Sequence, residues 1–141
     1  AFGTDIIVGF CGETDEQFKN TLDLCKQCEF DISYHARYSE RSGTVAAKMF
    51  KDDVPKSVKK ERWEALQELM EKTTKKKNQF YLNRVVSVLV DSCTDDGVCA
   101  GYSSEMKLVH FAGNEQLIGE VVDVKISWAD MWLLRGEVVE N

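Results

Sequence analysis

Apolar and polar positions divide the chain into two textures. Up to about residue 80, short apolar runs alternate with long stretches of helical spacing; beyond it come only short apolar runs split by turn chemistry. At the start, Ile6, Ile7, Val8, Gly9 and Phe10 follow one another without alternation, then Cys11-Gly12 turns, and Glu13, Asp15 and Glu16 supply acids. This predicts a strand buried on both faces, a tight turn and a helix N-terminus, as in a parallel α/β unit. A turn at the carboxyl end of such a strand is where α/β folds bind ligands. Only three residues precede Thr4, so the parallel neighbours of this strand are expected from upstream chain in a larger protein.

Phe18, Leu22, Cys25 and, less regularly, Cys28 recur at helical spacing and predict one apolar helix face. Cys25-Lys26-Gln27-Cys28 has the form C-x-x-C, but no second pair follows at zinc spacing, so these are expected as small core residues. Residues 30–38 predict a second strand. His35, Arg37 and Arg41 lie at or near its carboxyl end, placed either to face a ligand or simply to be exposed. A glycine-hinged loop over 38–44 leads to a short helical turn over 45–50. Asp52-Asp53-Val54-Pro55 marks a helix start, with proline at the first helical position. That helix is expected to run to about Lys77. Its apolar stripe is Val58, Ala65, Leu66, Leu69 and Met70, with Trp63 at the margin. Its polar side holds Lys59, Lys60, Arg62, Lys72, Lys75, Lys76 and Lys77, a solvated face or a phosphate-facing one.

From Phe80 onward, strands are predicted over 84–90, 98–102, 107–111, 121–126 and 133–139. Asp96-Gly97 supplies a hairpin turn between the first two, and Ala112-Gly113-Asn114 another turn. Five strands in about sixty residues without helices argue for a small closed β-barrel.

Composition sharpens this. A chain of 141 residues with 43% apolar and 30% charged residues suits one ordinary domain or two small ones. No apolar run approaches the roughly 20 residues of a spanning helix, so no membrane contact is expected. Five cysteines scattered over helix-like and strand-like segments predict free thiols in a reducing cytoplasm. The net charge of −6 is uneven. Residues 1–50 hold five basic and eight acidic side chains, residues 51–80 nine and six, and residues 81–141 four and ten.

Three segments together resemble the C-terminal part of the radical-SAM tRNA methylthiotransferases. Residues 4–14 are similar to that family's T-D-x-I-x-G-F-P-G-E-T. Tyr38-Ser39-Glu40-Arg41-Ser42-Gly43-Thr44-Val45-Ala46-Ala47, with Asp53-Val54-Pro55 and Lys60-Glu61-Arg62, resembles its following loop and helix. Val109-His110-Phe111-Ala112-Gly113, Leu117-Ile118-Gly119, Val122-Asp123-Val124 and Leu134-Arg135-Gly136-Glu137 resemble the TRAM domain appended to these enzymes. Nearly the whole chain is covered, in order.

The resemblance implies an α/β plus all-β chain. Residues 1–77 would be the final βαβα part of a partial TIM-type radical-SAM barrel, and residues 78–141 a small five-stranded, OB-like TRAM barrel. It implies a parent enzyme that uses S-adenosylmethionine and two 4Fe-4S clusters to add a methylthio group to the isopentenyl-modified adenosine beside the anticodon. Phe30-Asp31-Ile32-Ser33-Tyr34 favours this over the relative that acts on a ribosomal protein. Ile7, Gly9, Phe10, Gly12 and Glu13 would then edge the S-adenosylmethionine site, or the glycines would simply make the turn. The signature C-x-x-x-C-x-x-C is absent, so no catalytic residue and no metal ligand is expected here, and the chain alone is expected to be inactive. Cys11 stands where the family usually has proline, as do Glu40, Ser42 and Val45 in the loop.

For the barrel, the expected partner is the tRNA anticodon stem-loop, besides the upstream part of the same enzyme. Arg84, Lys107, His110, Lys125 and Arg135 are the candidate phosphate contacts, aided by the 72–77 lysines. Tyr102, Phe111, Trp128 or Trp132 are candidates to stack on an unpaired base, or else core residues. A stand-alone module binding RNA or, given the acidic barrel, protein is the alternative. Unpaired parallel strands open a route to aberrant oligomers.

Overall fold

The computed structural model describes residues 1–139, which group into two compact units divided between Thr73 and Thr74. In the first, β1 (Gly3–Val8) and β2 (Ile32–Arg37) make a two-stranded parallel sheet, with Ile6 opposite His35 and Val8 opposite Arg37. Helix α1 (Asp15–Cys28) connects them, and α2 (Val45–Met49) and α3 (Lys56–Gln79) follow. Thr14 starts α1 through a capping box: its hydroxyl accepts from the Gln17 N–H while the Gln17 side chain accepts from the Thr14 N–H. Val8, Cys25, Leu66 and Met70 form the core, with Ile6, Phe18, Leu22 and Trp63 packed around them.

Three expectations change here. First, β1 is buried on one face only. Ile6 and Val8 pack into the core, whereas Ile7 is 59% exposed, because the helices of this two-stranded sheet cover a single side. Second, of the C-x-x-C pair only Cys25 is core; Cys28 is exposed, one residue before the left-handed Glu29 ends the helix. Burial pushes the Cys25 thiol up, with the neighbouring Cys28 adding to it, which makes Cys25 a poor nucleophile.

Third, the buried stripe of α3 includes two of its cations. Lys59 and Arg62 are buried and Ala65 is exposed. Lys59 Nζ sits 2.6 Å from Asp52 and donates to the Tyr38 carbonyl at 3.2 Å. Arg62 donates to the Glu13 carboxylate at 2.6 Å, to the Glu13 carbonyl at 3.0 Å and to Asp15 at 2.7 Å. Burial alone would lower the Arg62 pKa, but the hydrogen bonds to Asp15 and Glu13 outweigh it and raise it. A charge can be buried only when paired in this way. Glu13 also accepts the Gly9 N–H at 2.7 Å, so one carboxylate ties the β1–α1 turn to α3. Gly9 has φ +71°, and a Cβ there would overlap the Lys59 side chain.

The second unit is a closed barrel in the order β3-β4-β5-β7-β6. Its strands are β3 (Val85–Cys93), β4 (Val98–Ser103), β5 (Leu108–Ala112), β6 (Val121–Ala129) and β7 (Leu134–Val138); all pairs are antiparallel except β5 with β7. Alternate residues fill it: Val88, Val90, Cys99, Val109, Phe111, Val124, Ile126 and Leu134. Two register shifts bend the strands, one between Val90 and Ser92 opposite Gly101, the other between Ile126 and Trp128 opposite Gly136. A Cβ on Gly101 would strike the Leu89 carbonyl, and one on Gly136 the Lys125 carbonyl, so the backbones approach there as no other residue allows. The thiol expectation fails for one pair. Cys93 and Cys99 lie directly opposite across β3 and β4 and are joined by a disulfide, leaving Cys11, Cys25 and Cys28 free. No helix among the described residues is long and apolar enough to cross a membrane.

Glu13→Ala is predicted to destabilise the first unit by about 3 kcal/mol, since it strands the buried Arg62 charge. Asp15→Ala should cost under about 1 kcal/mol, because the Asp15 side chain is 97% exposed. Urea unfolding followed through Trp63 checks this; equal costs would contradict the pairing hierarchy.

Candidate nucleic-acid interface

Strand direction sorts the barrel's charges. The starts of β3, β5 and β7 and the ends of β4 and β6 open at one end, while the β3–β4 hairpin and the residues between β5 and β6 lie at the other. At the far end stand Asp91, Asp95, Asp96, Glu115 and Glu120, and no Lys or Arg between Cys93 and Glu105 or between Ala112 and Glu120. At the near end stand Arg84 before β3, Arg135 at the start of β7 and Lys75 to Lys77 at the end of α3, against the two acids Glu105 and Asp130. The net acidity of the barrel is therefore polarised along its axis. A polyanion approaching the near end meets most of the cations.

The near end is built from the β6–β7 hairpin. Asn78 donates to the carbonyls of Asp130 at 2.6 Å and Met131 at 3.2 Å, and Lys75 pairs with Asp130 at 3.2 Å, which fixes the hairpin to the end of α3. The Lys75 ammonium, followed by a hydrogen bond from the Met131 N–H, holds the Asp130 carboxyl below its ordinary range. The bulge in β6 then decides which way Trp128 faces. Val124 and Ile126 point inward, and unbroken alternation would send residue 128 inward as well. The extra residue at Ser127 reverses the parity, so Trp128 is exposed, opposite Arg135, with the guanidinium 4.8 Å from its ring centroid. Trp132, in the hairpin link, is 65% exposed.

The six barrel residues singled out from sequence fare differently. Arg135 and His110 are register partners on β7 and β5, and Arg135 faces Trp128, so these three form one outer cluster. Arg84 is exposed at the same end, its carbonyl accepting from the Ile126 N–H. Lys125 is exposed farther along β6, opposite Val85 and Glu137. Tyr102 is exposed on β4 in register with Leu89 and Leu108, apart from the tryptophan cluster. Lys107 is not a surface cation: it is buried, its ammonium 5.9 Å from the Tyr81 ring centroid. Phe111 is core.

A family profile described as the TRAM domain matches residues 79–139. The barrel is similar to TRAM domains along its whole length. The whole chain is 51% identical, over 143 aligned positions, to the tRNA-2-methylthio-N(6)-dimethylallyladenosine synthase of Geobacillus kaustophilus, covering 100% of this chain and 27% of that protein. The enzyme of the same name from Bacillus subtilis is 50% identical over 138 positions, covering 96% of this chain and 27% of its own length. The chain thus spans about a quarter of the length of these relatives, and its similarity runs through both the barrel and the α/β residues before it.

In that α/β unit, the residues expected to edge a cofactor are largely engaged with one another. The Gly9 N–H is held by Glu13 and the Gly12 N–H by Asp53 at 2.8 Å. Glu13 is taken by Arg62. Only Ile7 and Phe10 present exposed side chains. His35 is half-buried, its Nδ1 3.1 Å from the Ser33 hydroxyl and its ring 5.3 Å from that of Trp63, so it does not join Arg37 and Arg41 at the surface. Among the described residues no three His, Cys, Asp or Glu are placed to hold a metal ion.

Proposed function

We propose that this chain is the C-terminal part of a tRNA methylthiotransferase that adds a methylthio group to the isopentenyl-modified adenosine beside the anticodon. The observation that carries this reading is the identity of about 50% along the whole chain to enzymes named for that product. In this reading the TRAM domain holds the tRNA anticodon stem-loop at its cationic end. Trp128 offers a stacking face stiffened by Arg135; Arg84, Lys125 and Arg135 supply phosphate contacts.

S-adenosylmethionine and the two iron–sulfur clusters are the family's cofactors. With no three-cysteine motif and no metal-holding cluster among the described residues, this chain fits neither cluster, and their ligands would come from the rest of the enzyme. Its share of an S-adenosylmethionine site would be the rim made by Ile7, Gly9, Phe10, Gly12 and Glu13. There Glu13 acts by holding Gly9 to Arg62 rather than by touching the ligand.

Two measurements test this. The chain should bind an anticodon stem-loop with an affinity that falls steeply as salt rises, and Trp128→Ala should weaken it by about tenfold, the worth of one stacked base. Absence of binding even at low salt would overturn the RNA role. After iron–sulfur reconstitution the 141-residue chain should release no 5′-deoxyadenosine from S-adenosylmethionine; a brown preparation whose colour depends on Cys11, Cys25 or Cys28 would contradict the division of labour.

A further inference from the structure

The α/β unit carries a second surface suited to RNA, separate from the TRAM domain and built from different residues. At the carboxyl ends of β1 and β2, Phe10 packs edge-on against Tyr38 with ring centroids 4.9 Å apart, and against Phe50 at 6.0 Å. Phe10 is 39% and Phe50 49% exposed, and the adjoining α2 exposes Val45 and Met49 as well. The cluster is held firmly from beneath. Tyr38 donates its N–H to the Val8 carbonyl at 2.8 Å, and the buried Lys59 lies 5.1 Å from the Tyr38 ring while bonding its carbonyl and Asp52. These rings are a fixed apolar face rather than a loose loop.

Charge identifies what such a face would accept. Between Arg37 and Lys51 the chain carries Arg37, Arg41, Lys48 and Lys51 against the single acid Glu40. All four cations are exposed, and none forms an ion pair among the described residues. Arg37 adjoins Tyr38, and Lys51 adjoins Phe50. The nearby acids Asp52 and Asp53 are already engaged, one by Lys59 and the other by the Gly12 N–H. The cations of α3, by contrast, are largely neutralised: Lys59 and Arg62 internally, Lys60 by Glu64 and Lys72 by Glu68. An exposed aromatic face on a segment that carries four unpaired cations suits a single-stranded nucleic acid, with a base on the rings and phosphates on the side chains. An apolar protein partner would have no use for four uncompensated charges.

We propose that Phe50, backed by Phe10, stacks an unpaired nucleotide of the RNA substrate while Arg41, Lys48 and Lys51 hold its flanking phosphates. This rests on the reading of the chain as part of an RNA-modifying enzyme and assigns to its α/β unit a substrate contact of its own.

The test uses the whole 141-residue chain and a short unstructured oligoribonucleotide, with affinity measured across a salt series. Lys48→Ala/Lys51→Ala, both at exposed positions, should lower the slope of log affinity against log salt by about 1.4, since each single-strand phosphate contact contributes about 0.7. Phe50→Ala should weaken binding about tenfold and leave that slope unchanged. Both effects should persist in a Trp128→Ala background. If RNA binds but the double lysine variant keeps the wild-type slope, the second surface is refuted while the TRAM reading stands. Failure of the wild-type chain to bind RNA at any salt refutes both. Perturbation of the Phe50 ring resonances by S-adenosylmethionine but not by the oligoribonucleotide would give that ring to the cofactor and overturn the proposal.

Discussion

A single extra residue in β6 decides which side of the barrel wall carries Trp128. Ser127 is the residue left over where Ile126 and Trp128 face Gly136 and Arg135 on β7. The bulge is possible because Gly136 lets the Lys125 carbonyl come closer than any side chain would permit. It bends β6 enough to help close five strands into a barrel, and it turns a tryptophan that alternation would bury onto the outside. Gly101 plays the same part opposite the bulge in β3, and beyond that bulge Cys93 comes to face Cys99. Barrel closure and the exposed aromatic face share one cause.

Electrostatics follows the same logic of position over total. A chain of net charge −6 is a poor ligand for RNA if its charge is spread evenly. Here Asp91, Asp95, Asp96, Glu115 and Glu120 stand at the end of the barrel that holds the β3–β4 hairpin, and most of its exposed cations at the end where α3 meets the β6–β7 hairpin. In the α/β unit, buried pairing removes Lys59 and Arg62 from the surface and spends them on holding the β1–α1 turn and the residue 38–53 loop against α3. Among the described residues, Arg37, Arg41, Lys48 and Lys51 stay exposed and form no ion pair.

Much of this was legible in the sequence, and the limits have physical reasons. The five strands and their closure followed from turn chemistry and short apolar runs, and the resemblance to methylthiotransferases was carried by three motifs in order. The order β1-α1-β2 and the acids in the first turn of α1 followed from local patterns too. What periodicity could not reveal was parity after a bulge, because a one-residue insertion has no compositional mark beyond the glycine opposite it. It could not show that Lys59 and Arg62 are buried, since their partners Asp52, Glu13 and Asp15 lie 7, 49 and 47 residues away. Nor could an odd number of cysteines distinguish a cross-strand pair from free thiols until the register of β3 and β4 was known.

We propose that RNA meets the barrel at its cationic, tryptophan-bearing end. Ultraviolet crosslinking of an anticodon stem-loop to the whole chain, with the attachment sites mapped by mass spectrometry, tests it most directly. Crosslinks at Trp128, Trp132 and the neighbouring β6–β7 hairpin are the predicted result. Crosslinks confined to residues 91–98 and 113–120, at the acidic end, would contradict it.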